Sequence, residues 1–142
     1  MSLVASSPHL ADTLTIVRLS LHVFAACVWV GGQVTLGGLV PTLRREAPHA
    51  LTSVARAFAR LAWPAYALLI VTGLWSVAAV HAGAASSAWN AVFAVKMALV
   101  VVAGVGTLVH QRATTASLRG ASAGIGTLAT VAAMVLGVAL AG

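Results

Sequence analysis

The stretch RLSLHVFAACVWVGGQ, Arg18–Gln33, decides the fold of this chain. It is nearly all apolar, yet it carries a histidine at position 22, four residues after an arginine. Apolar residues make up 61% of the 142-residue chain and charged residues only 7%, proportions that lie far from those of a soluble domain. We therefore expect an integral membrane protein in which this stretch crosses the bilayer. An imidazole inside such a span needs a partner or a function.

Four apolar runs are each close to the length that a bilayer core of about 30 Å requires. We predict membrane spans at Leu19–Val40, Leu61–Val80, Trp89–Val109 and Ile125–Leu140, and we expect residues 120–124 to lengthen the fourth. This pattern predicts an all-α fold, a four-helix transmembrane bundle, with residues 1–142 as a single domain.

The distribution of arginines predicts the orientation of the bundle. The segment TLRREAPHALTSVARAFAR, between the first two spans, holds Arg44, Arg45, Arg56 and Arg60 against Glu46 alone. The loop HAGAASSA after the second span has no fixed charge. By the positive-inside rule the arginine-rich segment is cytoplasmic, so both termini are predicted outside in a multi-pass protein of the cell inner or plasma membrane.

Several function classes are excluded by composition. The net charge of +6 comes mainly from arginines at the span ends, without the aromatic-basic patch of a nucleic-acid site, so no nucleic-acid partner is expected. The two acids, Asp12 and Glu46, are predicted on opposite sides of the membrane, which excludes catalysis by paired carboxylates. Cys27 is the only cysteine and allows neither an internal disulfide nor a thiolate cluster.

The fourth span carries a stripe of small residues at Ala129, Ala133, Gly137 and Ala141, preceded by a GxxxG pair at Gly120 and Gly124. Small residues in register let membrane helices approach closely. The stripe predicts tight packing, either inside the bundle or against a second copy or another subunit of a membrane complex.

The polar residues within or at the edges of the spans are the candidates for function. They are Arg18, His22, Gln33, His81, Lys96 and His110. Arg18, His22, Trp29 and Gln33 share one helix face, and Lys96, Ala103, Thr107 and His110 share another. Both faces are expected to point into the bundle and could face each other.

Depth along the helices separates these residues into two groups. His22 and Lys96 are predicted in the outer third, about 5 Å apart in depth, with His81 on the same side, whereas His110 is about 25 Å deeper than His22. His110 therefore cannot join the outer site. It is interpreted as a helix-end residue at the cytoplasmic interface, with a ligand role left open.

A histidine on the inner face of a helical bundle is a natural axial ligand for haem iron. Trp29 and Trp75 are deep enough to wall a pocket, while Trp63 and Trp89 read as interfacial residues. Two alternatives need no cofactor. His22 could form an interhelical hydrogen bond, and Lys96 could extend to the interface or pair with Asp12.

Three segments also resemble a known family of membrane proteins. They are RLSLHVFAACVWVGGQVTLGGLVPTLRR, FARLAWPAYALLIVTGLWSV and WNAVFAVKMALVVVAGVGTLVHQR, within residues 18–112. Together they resemble the CopD-type copper-resistance membrane domain and the related HemJ-type protoporphyrinogen oxidases. The shared pattern falls on His22, Trp29, Gly31, Pro64, Gly73, Trp75, Lys96 and His110.

The HemJ-like side of the resemblance implies a bound haem b and a possible haem-dependent oxidoreductase. It makes His22 the axial ligand and places Lys96 on the opposite face of the haem or at its propionates. Arg18 is a further candidate for the propionates, and His81 is the alternative iron ligand. The CopD-like side implies copper handling, and the ending LVPTLRR of the first span is closer to that type.

Met97 and Cys27 do not share the faces of Lys96 and His22, so a copper site lacks a gathered set of ligands. The leading hypothesis is a membrane haem b protein, with haem in the outer half of the bundle, that serves with a redox partner in electron transfer, or in haem chemistry or haem sensing. Copper transport is the alternative. A cofactor-free scaffold or small subunit of a complex is the third.

Overall fold

The computed structural model describes residues 10–79 and 85–141, and all regular structure in these two ranges is helical. Helix α1 spans Thr13–Ala26 and continues through a π-helical turn, Cys27–Gly31, into α2, Gly32–Glu46. A 3-10 turn, Pro48–Ala50, leads into α3, Leu51–Ala79, which is followed by α4, Ser87–Arg112, and α5, Ala116–Ala141. Four stretches are long and apolar enough to cross a membrane: Thr13–Glu46, Pro48–Ala79, Ser87–Arg112 and Ala116–Leu140. The predicted all-α four-helix transmembrane bundle is confirmed.

Side-chain caps begin three of the helices. Asp12 accepts the Thr15 N–H at 3.1 Å, Ser86 accepts the Trp89 N–H at 3.1 Å, and Thr115 Oγ1 accepts the Leu118 N–H at 3.3 Å. Hydrogen bonding to Thr15 holds the pKa of Asp12 below its usual value. The Asp12 carboxylate thus caps α1.

The helices are longer than the predicted spans. The arginine-rich segment at 42–60, expected as a loop, is helical as far as Glu46 and again from Leu51. Its apolar side chains recur at helical spacing, and Leu43, Val54 and Phe58 are partly buried, so the helices continue beyond the predicted span ends. Helix α5 begins at Ala116, which confirms that the fourth span includes residues 120–124.

The helices pack as two antiparallel pairs, α1 with α3 and α4 with α5. Apart from Trp29, their core is made of small side chains, among them Ala25, Ala62, Ala65, Ala103, Ala129 and Ala133. Large apolar side chains lie on the outside instead, as at Leu128 and Val138, which are 73% and 72% exposed. This inverted arrangement suits a lipid environment, in which apolar surface needs no burial.

Helices α4 and α5 approach most closely at Gly106, where an added Cβ would lie 3.0 Å from the Gly126 Cα. Ala129 and Ala133 of the small-residue stripe are buried, and Gly137 lies against the Lys96 side chain. A Cβ at Gly120 or Gly124 would meet nothing within 4 Å in the described chain, so that GxxxG pair makes no close approach there. Ala129, Ala133 and Gly137 of the stripe therefore pack within the bundle.

The two ends of the bundle differ in charge. We call the end where α1 begins and α5 ends the terminal end. The opposite end, where α2 and α4 end, is the basic end, and it carries Arg44, Arg45, Arg112 and Arg119.

Candidate functional site

His22 lies on α1, half-buried, and is hydrogen-bonded to α3. Its Nδ1 is 2.7 Å from the Oγ1 of Thr72, which is fully buried. The same Oγ1 is 2.7 Å from the Leu68 carbonyl oxygen. A carbonyl only accepts and a hydroxyl has one proton, so Thr72 donates to Leu68 and accepts from His22. In the neutral ring the proton is therefore on Nδ1, and the lone pair is on Nε2.

The backbone of α3 leaves room for this ring. A Cβ at Gly73 would lie 3.7 Å from the His22 Cε1, an ordinary contact distance, so the helix surface there is flat against the imidazole. Thr72 holds the ring on one edge, and Gly73 lies beside it. The orientation of His22 is thus set by two consecutive residues of α3.

Lys96, on α4, lies at nearly the same depth as His22. Tyr66 of α3 donates its hydroxyl proton to the Val100 carbonyl at 2.7 Å, which aligns α3 with α4. Measured along the helix axes from the Tyr66–Val100 hydrogen bond toward the terminal end, Thr72 lies about 9 Å away and Lys96 about 6 Å away. The spacing along the two helices thus agrees with the prediction that both residues lie at similar depth.

The Lys96 ammonium lies against α5. A Cβ at Gly137 would be 3.1 Å from Nζ and 3.6 Å from Cε, so the absence of a side chain at Gly137 makes space for the lysine. Lys96 is half-buried rather than extended into open surroundings. Asp12, the other partner considered for it, accepts the Thr15 N–H at the start of α1.

Arg18 lies one helical turn before His22 and is also partly buried. Its Nε is buried and has no hydrogen-bond partner within residues 10–79 and 85–141. A buried donor without an acceptor is costly, because the group has lost its water and gained nothing in return. Arg18 therefore presents an unmet need for an acceptor in the same half of the bundle as His22 and Lys96.

An aromatic cluster of Trp29, Trp63 and Tyr66 lies on the basic side of His22. The ring of Trp29 is 4.6 Å from that of Tyr66 and 5.9 Å from that of Trp63, and Trp29 is 2% exposed. Its Nε1 donates to Thr130 Oγ1 at 3.4 Å, which links the first helix pair to α5. The cluster packs across the interior of the bundle on the basic side of His22.

The π-helical turn accompanies this packing. It runs from Cys27 to Gly31, with Trp29 at its centre. A π turn inserts one residue into the helical repeat, and such turns occur frequently at functional sites. Arg18, His22, Trp29 and Gln33 are all turned away from the exposed surface, as their shared face predicted.

The other tryptophans lie in different surroundings. Trp63, expected at the membrane interface, packs at steep ring angles in the aromatic cluster, and its Nε1 donates to Gln111 Oε1 at 3.3 Å. Trp75 was expected to wall a pocket but is 40% exposed on α3. Trp89 stacks on Phe93, with ring centroids 5.5 Å apart.

The other ligand candidates among the described residues, His110 and Cys27, do not converge on His22. His110 is at the basic end, where its Nδ1 is 2.9 Å from the Arg119 carbonyl, so its separation from the outer site is confirmed. Cys27 is exposed. His81 falls outside the described residues. In the two described ranges, no three His, Cys, Asp or Glu side chains gather in a group that could hold a metal ion.

Sequence reasoning missed the partners that orient the site, Thr72, Tyr66 and Thr130. A weak signal existed, because Tyr66 is the only tyrosine and Thr72 is a polar residue in an apolar run. Their roles depend on contacts with residues 34 to 101 positions away along the chain.

The chain was compared with known proteins on three levels. No protein-family model, no curated protein and no solved structure matches it.

Proposed function

We propose that this protein binds haem b between its helices in the terminal half of the bundle, with His22 as the axial ligand. The observation that carries the proposal is the hydrogen bond from His22 Nδ1 to Thr72 Oγ1. It leaves Nε2 as the lone-pair atom of the neutral ring. Histidine ligands of metals commonly donate the other ring N–H to a neighbouring acceptor, which fixes the ring orientation and raises the basicity of the ligand.

Two neighbouring cations suit the other parts of a haem. Lys96, which the spacing along α4 puts near the depth of His22, would supply either a neutral amine to the iron or an ammonium to a propionate. The buried Nε of Arg18 has no acceptor among residues 10–79 and 85–141, and a propionate would supply one. The whole chain has two acids, and Asp12, the one in this half, caps α1 through the Thr15 N–H, so a dianionic cofactor also meets an electrostatic need.

The residues of the site have separate tasks in this proposal. Thr72 orients the imidazole, Gly73 keeps the α3 surface flat beside it, and Trp29 closes the interior on the basic side. Bound haem supplies a redox-active iron, which fits electron transfer, haem chemistry or haem sensing. A haem-dependent oxidoreductase activity and a redox partner are part of the same proposal.

Copper transport is the second candidate and has less support. Copper sites gather several soft or imidazole ligands. Cys27 is exposed, and His110 lies at the other end of the bundle. The overall proposal also includes the CopD- and HemJ-like resemblance. It further includes a location in a cell inner or plasma membrane and the outward orientation of both termini.

The absorbance spectrum of the purified full-length protein tests this function. We expect a Soret band in the wild type, its loss in His22→Ala and its retention in His110→Ala. His110 is the matched control, because it is also a partly buried histidine held through Nδ1.

Each other outcome favours a different function. Copper bound without a Soret band supports transport. A protein that binds neither haem nor copper supports the scaffold role. Full haem content with an unchanged spectrum in His22→Ala rules out His22 as the ligand and makes His81 the next candidate.

A further inference from the structure

A cavity of about 540 Å³ opens at the basic end, away from His22 and Lys96. It lies between α2, the first turns of α3, the end of α4 and the start of α5. Its volume is in the range of small-molecule sites in proteins. None of the residues assigned to haem lines it.

The charged residues that line the cavity are arginines. Arg44 comes from α2 and Arg119 from α5, and no aspartate or glutamate is among the lining residues. Glu46 is the only acid in this part of the chain, and it is exposed. Two guanidinium groups without a carboxylate between them favour an anion.

Arg119 is held in place by the turn between α4 and α5. One Nη donates to the Ala113 carbonyl at 2.7 Å, and the Arg119 carbonyl accepts from His110 Nδ1 at 2.9 Å. A guanidinium has five N–H donors, so this bond orients the group and leaves other donors for a ligand.

Gln33 gives an independent indication of a ligand at the deep end of the cavity. It lines the cavity, and its Nε2 is buried without a hydrogen-bond partner in the described part of the chain. Gln33 and Arg44 are separated by about 16 Å along the helix axis. The apolar side chains Leu36, Val40 and Phe58 line the stretch between. A ligand that meets both residues is elongated, anionic at one end and oxygen-bearing further in.

We propose that this cavity binds a phosphate-bearing ligand, with the phosphate at Arg44 and Arg119. Among phosphate-bearing ligands a phospholipid fits best, because it joins a phosphate to long apolar chains and also carries ester oxygens that could accept from Gln33. A soluble phosphate compound shares the phosphate chemistry, and the experiment separates the two sources.

Lipid retention tests the charge requirement. Full-length protein in detergent is incubated with equal amounts of phosphatidylglycerol and phosphatidylcholine, and bound lipid is counted by native mass spectrometry. We expect phosphatidylglycerol to be preferred, and Arg44→Gln to lower its retention about tenfold. Arg45→Gln is the matched control, since Arg45 is exposed and is not a lining residue. We expect its retention to stay within about twofold of the wild type.

A second pair of variants tests the cavity without changing charge. Gly37 lines the cavity and its neighbour Gly38 does not, and a Cβ at either would meet nothing within 4 Å. Gly37→Leu therefore fills cavity space without a clash at Cβ. We expect it to lower phosphatidylglycerol retention, while Gly38→Leu leaves retention unchanged.

Inorganic phosphate identifies the source of the ligand. If millimolar phosphate raises the thermal stability of the wild type in phosphatidylcholine nanodiscs, and Arg44→Gln and Gly37→Leu abolish that effect, the site takes a phosphate group. If the protein also retains phosphatidylglycerol, the ligand of the site is a lipid. If it does not, the ligand is a soluble phosphate compound. Binding of neither probe, or equal losses in Arg44→Gln and Arg45→Gln, would overturn the proposal.

Discussion

The two halves of the bundle each hold a histidine through the same ring atom but surround it with different chemistry. His22, in the terminal half, is bonded through Nδ1 to the Thr72 hydroxyl, and Lys96 lies at a similar depth on α4. His110, in the basic half, is bonded through Nδ1 to the Arg119 carbonyl beside a cavity with two arginines. The anchor orients the ring in both places, and the surroundings set its use. The Nε2 lone pair of His22 suits a metal ligand, whereas the two guanidinium groups beside His110 suit an anion site.

The halves also differ in how α4 and α5 meet. In the basic half the backbones are in contact at Gly106 and Gly126. In the terminal half the flexible Lys96 side chain lies between α4 and Gly137. The basic half thus has a rigid crossing beside an open cavity, and the terminal half has an adjustable contact beside His22.

The largest expected effect is on thiol labelling, which reports which half of the bundle faces outward. In a Cys27→Ala background, Ser86→Cys should be labelled by an impermeant thiol reagent in intact cells, and Thr114→Cys only after lysis. Both positions are exposed and lie in turns at opposite ends. The reverse pattern would put the His22 site in the cytoplasmic half.

Substitutions of Lys96 test how the terminal half would hold haem. Lys96→Arg keeps the charge but cannot ligate, because guanidinium does not deprotonate in proteins. We expect lower haem content and a shifted spectrum of the oxidised protein. A normal spectrum in Lys96→Arg, with haem lost only in Lys96→Met, would show instead that Lys96 pairs with a propionate.

The difference in helix crossing predicts unequal costs for the same substitution. Gly106→Ala forces a Cβ to 3.0 Å from the Gly126 Cα, and we expect it to lower the free energy of unfolding by about 1–3 kcal/mol. Gly137→Ala meets the mobile end of Lys96, and the greater helix propensity of alanine, up to about 1 kcal/mol, offsets that contact. Thermal unfolding in one detergent compares the two, and equal losses would contradict the distinction.

The smallest expected effect isolates the anchor of His22. Thr72→Val keeps the shape and removes the hydroxyl, so the unfolding free energy should fall by about 1 kcal/mol. Haem affinity should fall about tenfold, because the imidazole loses the acceptor that orients it. Thr72→Ser keeps the acceptor and should retain most haem. An unchanged haem affinity in Thr72→Val would show that His22 does not need the hydrogen bond to Thr72 in order to ligate haem.

Much of the fold could be predicted because its causes are local. The inward position of Arg18, His22, Trp29 and Gln33 follows from helical spacing, although the π turn lies between His22 and Gln33. The contacts of Trp63 could not be predicted, because tryptophan is equally suited to an interface and to a core. They depend on Tyr66 and Trp29, which approach Trp63 only in the folded bundle.

The sequence by itself determined that four apolar helices form, where the arginines collect and which helix faces carry polar groups, because composition and periodicity act over a few turns of chain. Only the tertiary structure decided that Thr72 holds the His22 ring, that Lys96 lies against Gly137, and that Gln33 and two arginines line one cavity. Those contacts join residues far apart along the chain. They depend on the axial register between helices, which small-residue packing sets and hydrophobic pattern does not.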